Sequence, residues 1–292
     1  MDISVIICTY NRSKLLHGAL ISLDNQVFSG NFEIIVVDDG STDDTEKVCK
    51  NISLKNTFHY FKTPHKSRAS ARNFGISKSS GKYLLFVDDD ILAVEDLLEK
   101  HFKILSLNKK NVVRGPVIDV CEYSIPRCNP KINNYSMAFF CTCNASVSSE
   151  CLKEIGCFDE DFTEYGWEDT ELGLRFRQAG FKMRFLLNAP IYHYKPIGKD
   201  FLKTEIAKAR ELARMAIKFI NKHSSWRAYL ATGITPFHLF VNSYFYNEKK
   251  CNDALKKINE GNFKNNSAEY YNLVKKVYNY YYNKELKQLL WK

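Results

Sequence analysis

The chain has 292 residues, 45% hydrophobic and 26% charged, which is long enough to bury a sizeable core and excludes disordered, collagen-like and low-complexity classes. The net charge of +9 is uneven: residues 1–197 hold 24 Lys+Arg against 25 Asp+Glu, and residues 198–292 hold 18 against 8. Two parts are therefore expected, a domain over 1–197 with halves of about 1–110 and 111–197, and a basic, aromatic-rich helical extension over 198–292.

In chain order, ISVIIC at 3–8 reads as a buried strand, short, continuous and β-branched. TYNR breaks it, and Ser13 is a good cap for a helix running to about Asn25. FEIIVV is a second apolar strand that ends in DDGSTDDT, followed by a helix to about residue 52. FHYF is a weaker strand, TPHKSR a polar loop, ASARNFGISKS a helix, and YLLFV the strand that leads into Asp88-Asp89-Asp90. Alternating strands and helices imply βαβ units and a parallel sheet, with ligands at the carboxyl ends of the strands. TYNR, DDGS and DDD all fall at such ends.

Beyond residue 110 the pattern loosens. NVVRGPVIDV looks like a strand with a Gly-Pro break, AFFCTCNASVS like another strand, and SSECLKEIG like a short helix. EDTELGLRFRQAG is a helix with acids in its first turn and Gly180 at its end, and FKMRFL is a further strand. From about 199 the reading is helical, first over DFLKTEIAKARELARMAIKFINKH, then through an aromatic-rich stretch broken by Gly233 and Pro236, then in two shorter basic helices.

The acid at position 2 and the short apolar run after it do not make a secretory signal, and no segment reaches the ~18 apolar residues of a membrane span, so a cytosolic protein is expected. Nine scattered cysteines without a C-x-x-C pair read as reduced thiols packed as small hydrophobes.

Five groups of residues bear chemistry. Three adjacent carboxylates at Asp88–Asp90 repel one another, which points to a hard cation or, equally, to a solvated turn or helix cap. Thr9, Tyr10 and Asp39 suit a nucleobase, the ring stacking and the acid accepting an N–H, although Ser41, Thr42 and Asp43 also suit helix capping. Arg68 and Arg72, four apart on a helix, suit a diphosphate or a base carbonyl, or else salt bridges to surface acids. In GWEDTELGLR, Trp167 is a wall-forming residue, and Glu168, Asp169 and Glu171 answer either the helix dipole or the need for a general base. His193, read as lying in a loop after a strand, is a structural histidine or a ligand.

Taken together, SVIICTYNR, IIVVDDGSTDDT, SRASARNFGI, GKYLLFVDDDI, CNASVSSECLKEIGCFDEDF and WEDTEL resemble, in order and spacing, the family 2 nucleotide-sugar glycosyltransferases. The likeness covers roughly residues 3–195. It implies the GT-A fold, Rossmann-like, with a mostly parallel sheet flanked by helices, here carrying a C-terminal helical extension. It implies that Thr9, Tyr10 and Asp39 bind the base, with Arg12 and Arg68 beside them, and that Asn144 and Trp167 lie near the donor sugar. Asp90 and Asp88, with His193 as a third ligand, would hold Mn2+ or Mg2+, and Asp88 or Asp89 would touch the ribose or a metal-bound water. Asp169 would deprotonate the acceptor hydroxyl, oriented by Glu168. The Q-x-x-R-W motif of the processive members is missing, which favours transfer of a single sugar, from UDP, with inversion, to a glycan or lipid-linked acceptor in cell-surface polysaccharide or glycoconjugate synthesis.

Two other classes compete. A sugar-phosphate nucleotidyltransferase would carry a Gly-rich basic loop where this chain has TYNRSK, and a non-catalytic nucleotide-sugar-binding or scaffold protein would not hydrolyse a UDP-sugar. The helix at 199–223 is basic and amphipathic, and aromatic residues follow it. Either it is an ordinary covering helix with a solvated basic face, or residues 199–250 dock on the anionic inner face of a membrane. No nucleic-acid module is present.

Overall fold

The computed structural model describes residues 1–120, 122–126, 138–194, 200–261, 263 and 268–291. Contacts divide it into one unit of residues 1–163 and 168–195 and a second of 164–167 and 196–292.

In the first unit the apolar runs become the strands of one sheet. β1 (Ile3–Thr9), β2 (Phe32–Asp38), β3 (Thr57–Lys62) and β4 (Tyr83–Val87) lie parallel in the order β3-β2-β1-β4. Three of the four are nearly or wholly buried, as continuous Val/Ile/Leu runs in a parallel sheet should be. The sheet continues with β8 (Asn144–Ser148), antiparallel to its neighbours, then β6 (Asn111–Arg114) and β9 (Lys182–Phe185). Helices α1 (Ser13–Asp24), α2 (Thr45–Asn51), α3 (Arg68–Lys78), α4 (Leu97–Leu105), α5 (Ser149–Glu154) and α6 (Glu168–Gln178) complete the α/β architecture.

Several local expectations change. NVVRGPVIDV is two strands in two sheets, because Gly115-Pro116 turns the chain out of β6 and into β7 (Val117–Val120). Gly115 has no room for a side chain, since a Cβ would stand 1.9 Å from the Ala189 carbonyl oxygen. Residues 138–143 of AFFCTCNASVS lie outside the strand, which starts at Asn144. His193 is on a strand and not in a loop: β10 (Ile191–Tyr194) pairs antiparallel with β5 (Ile91–Ala93) and parallel with β7 in a three-stranded sheet. β5 follows the aspartate triplet directly, where only a turn or helix cap was foreseen.

The second unit is helical: α7 (Phe201–Lys222), α8 (Trp226–Thr232), α9 (Pro236–Phe245), α10 (Glu248–Glu260) and α11 (Ala268–Leu290). The apolar stripe of α7 faces inward, with Ala209, Ala213, Met215, Ala216, Phe219 and Ile220 buried. The expected amphipathic helix is thus present, but its apolar face is taken by the unit's own packing. No helix among the described residues is long and apolar enough to cross a membrane. The seven described cysteines are free, and Cys121, Cys128 and Lys199 lie outside the described residues.

Candidate active site

Parallel pairing lines up the carboxyl ends of three strands. Thr9 registers with Asp38 and Ile7 with Val87, so the TYNR, DDGS and DDD segments emerge at one sheet edge. Asn11 laces the first two together: its N–H donates to Ser41 Oγ at 2.8 Å, and its Oδ1 accepts from Thr42 N at 2.8 Å. Its φ of 54° is left-handed, a region that Asn tolerates better than most residues. Gly40, at φ 82°, leaves only 2.9 Å between a would-be Cβ and the His65 N, so the turn requires glycine.

The two acids of DDGS divide their work. Asp38 is structural, accepting from Ser41 N at 2.7 Å and from the Tyr60 hydroxyl at 2.7 Å. Asp39 faces the loop before α3, with Lys66 N on Oδ1 at 3.0 Å and His65 Nδ1 2.9 Å from Oδ2. Burial raises its carboxyl above the usual range. Tyr10 is exposed and stacks on His65, with ring centroids 4.3 Å apart at 19°. Thr9 is buried at the end of β1, and Arg68 is exposed at the first turn of α3.

The aspartate triplet is answered by cations of the chain itself. Arg12 Nη1 bonds Asp89 Oδ1 at 3.2 Å and also Asp90 Oδ2. Antiparallel pairing of β5 with β10 sets His193 opposite Ile91, which brings its Nε2 to 2.8 Å from Asp90 Oδ1. Parallel pairing with β7 sets His193 beside Asp119, whose Oδ1 lies 3.0 Å from Nδ1. Burial lifts the Asp90 carboxyl, but the His193 hydrogen bond and charge, together with Arg12, outweigh it and hold the group below its usual range. Burial pushes Asp89 up to about 7 against the pull of Arg12. Burial would lower His193, but its bonds to Asp119 and Asp90 prevail and raise it to about 9.

One ligand atom each from Asp88, Asp90 and His193 lies within 4.8 Å of the others. Two carboxylates and an imidazole suit Mn2+ and, less well, Mg2+, which prefers oxygen. The Asp119 contact leaves Nε2 of His193 as the atom facing the acids, as an outer-shell carboxylate does for a ligating histidine. These residues therefore fit the cation implied by the sequence.

The second acidic pair starts α6. Glu168 Oε1 accepts from Arg72 Nη1 at 2.8 Å, and Asp169 Oδ1 lies 3.5 Å from the same nitrogen. Arg72 is buried in α3 with its guanidinium 5.4 Å from the Phe158 ring centroid, which settles an ambiguity: it serves the Glu168-Asp169 pair and not a surface acid. Asp169 Oδ2 accepts from Thr142 N at 2.8 Å and from its hydroxyl at 2.9 Å. Burial pushes Asp169 up to about 6, with Arg72 pulling the other way. Glu171 is turned toward Arg175, 2.7 Å away.

The segment before β8 joins the two acidic groups. Because β8 runs antiparallel to β4, with Asn144 opposite Val87, the residues before it sit at the same sheet edge as Asp88. Thr142 holds Asp169, and the next residue, Cys143, donates from Sγ to Asp88 Oδ2 at 2.8 Å. Asn144 itself is fully buried, and its amide nitrogen bonds the Pro116 and Ala189 carbonyls at 3.1 and 2.9 Å. Trp167 belongs to the second unit, where its ring stacks on Phe219 and Nε1 donates to the Leu212 carbonyl at 2.9 Å.

Sequence reading missed Asp119, Thr142, Cys143 and His65. Asp119 meets His193 only through strand pairing, and nothing in the stretch CTCN marks its threonine. With Asp169 as the base that the resemblance implies, the Thr142→Val variant is expected to lower turnover about tenfold, the worth of about 1.5 kcal/mol for a hydrogen bond to a charged group. Its acidic limb should move toward higher pH, because a donor to the ionised form is gone. A pH–rate profile checks this, and the donor KM should hold.

The chain matches the family described as Glycosyl transferase family 2 over residues 4–155, and that described as N-terminal domain of galactosyltransferase over 125–199. An uncharacterized glycosyltransferase of Bacillus subtilis strain 168, YfnE, is 27% identical over 244 residues, covering 63% of this chain and 62% of that one. Chondroitin synthase of Escherichia coli is 26% identical over 242 residues, 68% of this chain but 35% of the synthase. The chain therefore spans less than two thirds of the length of both relatives. A mannosyltransferase of Pyrobaculum calidifontis, PcManGT, solved with GDP-Man and Mn2+, shares the fold with a TM-score of 0.64 at 17% identity, over 100% of this chain and 88% of that one.

Proposed function

The chain belongs to glycosyl transferase family 2, and we propose that it moves one sugar from a nucleotide-sugar, a UDP-sugar, onto a hydroxyl of a glycan or lipid-linked acceptor, with inversion. The observation that carries this reading is the pair of neighbours Thr142 and Cys143, one bonded to Asp169 and the other to Asp88. A prospective base and a prospective cation site are thereby tied together by adjacent residues at one edge of the sheet, at the carboxyl ends of the strands.

In this scheme Asp88, Asp90 and His193 hold Mn2+ or Mg2+, which when bound neutralises negative charge on the departing nucleoside diphosphate. Tyr10 and Asp39 seat the base. Asp169, with a pKa raised to about 6, is ionised at neutral pH yet basic enough to take the acceptor proton. Thr142 fixes Oδ2, while Oδ1, 3.5 Å from Arg72 and without a hydrogen-bond partner among the described residues, is the oxygen open to the acceptor proton. A single base and a single displacement invert the anomeric carbon. An α-linked product from an α-linked donor would overturn the stereochemical part of the reading.

The sugar is a hexose or N-acetylhexosamine, and the pathway one of cell-surface polysaccharide or glycoconjugate synthesis, in keeping with the likeness to a chondroitin synthase. The lipid-linked acceptor would be met at an anionic membrane surface through residues 199–250. A thermal-shift panel of UDP-, GDP- and dTDP-sugars, each with and without Mn2+, tests the donor. A saturating UDP-sugar with Mn2+ should stabilise the chain by about 2.7 kcal/mol at a hundred times its Kd, and the others much less. A shift with GDP-sugars alone would replace UDP, and a shift with none would favour the scaffold alternative.

A further inference from the structure

Exposed apolar residues scattered singly are ordinary, but a row of large ones on one helix is not. None of the ten residues of α9, PFHLFVNSYF, is buried among the described residues. Phe237, Phe240 and Tyr244 follow the i, i+3, i+7 spacing of one helical face, and they are 71%, 76% and 68% exposed. Trp226, at the start of α8, is 67% exposed. The helix is well formed, with Thr235 accepting from His238 N at its start and Pro236 in its first turn.

Cations accompany the rings. Lys250 Nζ lies 4.9 Å from the Tyr244 centroid and 5.4 Å from that of Phe245, and the Arg227 guanidinium lies 5.1 Å from Trp226. The surrounding stretch, 198–292, holds 18 Lys+Arg against 8 Asp+Glu. We infer that the α8–α9 face docks on an anionic lipid bilayer, with Phe237, Phe240 and Tyr244 entering the headgroup–acyl boundary and Arg227, together with the exposed Lys249 and Lys250 in the first turn of α10, meeting the headgroups. Aromatic rings beside lysine and arginine are the chemistry of that boundary. A second copy of the chain fits worse, because a symmetric contact would bring Arg227, Lys249 and Lys250 of the two copies together.

This sharpens the membrane partner proposed above. It also moves the contact from α7, whose apolar stripe is buried, to α8–α9. It does not depend on the chemistry of the first unit, because vesicle binding is read without donor or acceptor.

The test is flotation of the full chain with vesicles of phosphatidylcholine alone and of phosphatidylcholine with phosphatidylglycerol, at low and high salt. The wild type should bind the anionic vesicles about tenfold more tightly than the neutral ones, and less tightly at high salt. The triple variant Phe237→Ala, Phe240→Ala, Tyr244→Ala should lose about tenfold in partition while keeping its melting temperature. The pair Lys249→Glu, Lys250→Glu should lose both binding and salt dependence. If the triple variant does not fold, Phe240→Asp alone decides. Equal binding by wild type and the aromatic variant overturns the inference, as does absence of binding to anionic vesicles. So does an aromatic variant that turns a dimer into a monomer in sedimentation while leaving vesicle binding intact.

Discussion

Replacing Asp169 with Asn should lower sugar transfer about a thousandfold, the contribution of a well-placed general base. The change is nearly isosteric. The asparagine carbonyl can still accept from the Thr142 N–H and hydroxyl, and Arg72 keeps Glu168 at 2.8 Å, so the fold and donor binding should survive. What is lost is the only atom pair able to take the acceptor proton in this scheme. The pH profile supplies a sharper criterion. Burial sets Asp169 at about 6, so the wild-type rate should fall about tenfold per unit below that pH as the carboxylate gains a proton. Above it the base is fully ionised and the rate should be flat. In Asp169→Asn that acidic limb should vanish from the residual activity. A residual profile that still bends near 6, with activity near wild type, would assign the base elsewhere.

The second large effect is expected from Asp90→Ala. Within the triplet, Asp90 is paired with Arg12 through Oδ2 and with His193 through Oδ1. Its removal takes a carboxylate out of the Asp88–Asp90–His193 group and leaves His193 paired with Asp119 and near Asp88. Several kcal/mol of charge stabilisation should go with it, about a thousandfold in transfer. The Mn2+-dependent part of the donor thermal shift should disappear as well. Arg12 retains Asp89 at 3.2 Å, so the variant should fold. A full Mn2+-dependent shift in Asp90→Ala would place the cation on other residues.

The parts legible in the sequence are those whose signal is local. β1, β2 and β4 are continuous apolar runs because both faces are covered, and the polar clusters that end them are visible as sharp changes of composition. The acids at 88–90 and 168–169 stand out for the same reason. The missing pieces depend on pairing between distant strands. β5 is three residues long, β10 is four, and both hold their shape through partners that no local pattern reveals. Hence neither the role of Asp119 nor the strand that carries His193 shows in the local sequence. The amphipathic period of α7 was legible, but the stripe does not say what covers it. In this chain its own neighbours do, and the uncovered apolar face is the short α9.

The strand pairing that completes the site also orders the steps of its assembly. β3, β2, β1 and β4 are neighbours in space and close in sequence, and the segments that follow β1, β2 and β4 supply Arg12, Asp39 and the Asp88–Asp90 triplet. His193 arrives only after β6, β7, β8 and β9 have been made, on the strand that must return to β5. Loop-closure entropy makes such a distant pairing slow relative to the local ones. On the ribosome, the first four strands are therefore free to form while the acid cluster has Arg12, and the charge of Arg72 toward Asp88, but not yet His193. Affinity for a divalent ion should rise abruptly when β10 docks, which makes metal uptake a marker of the last folding event in the first unit.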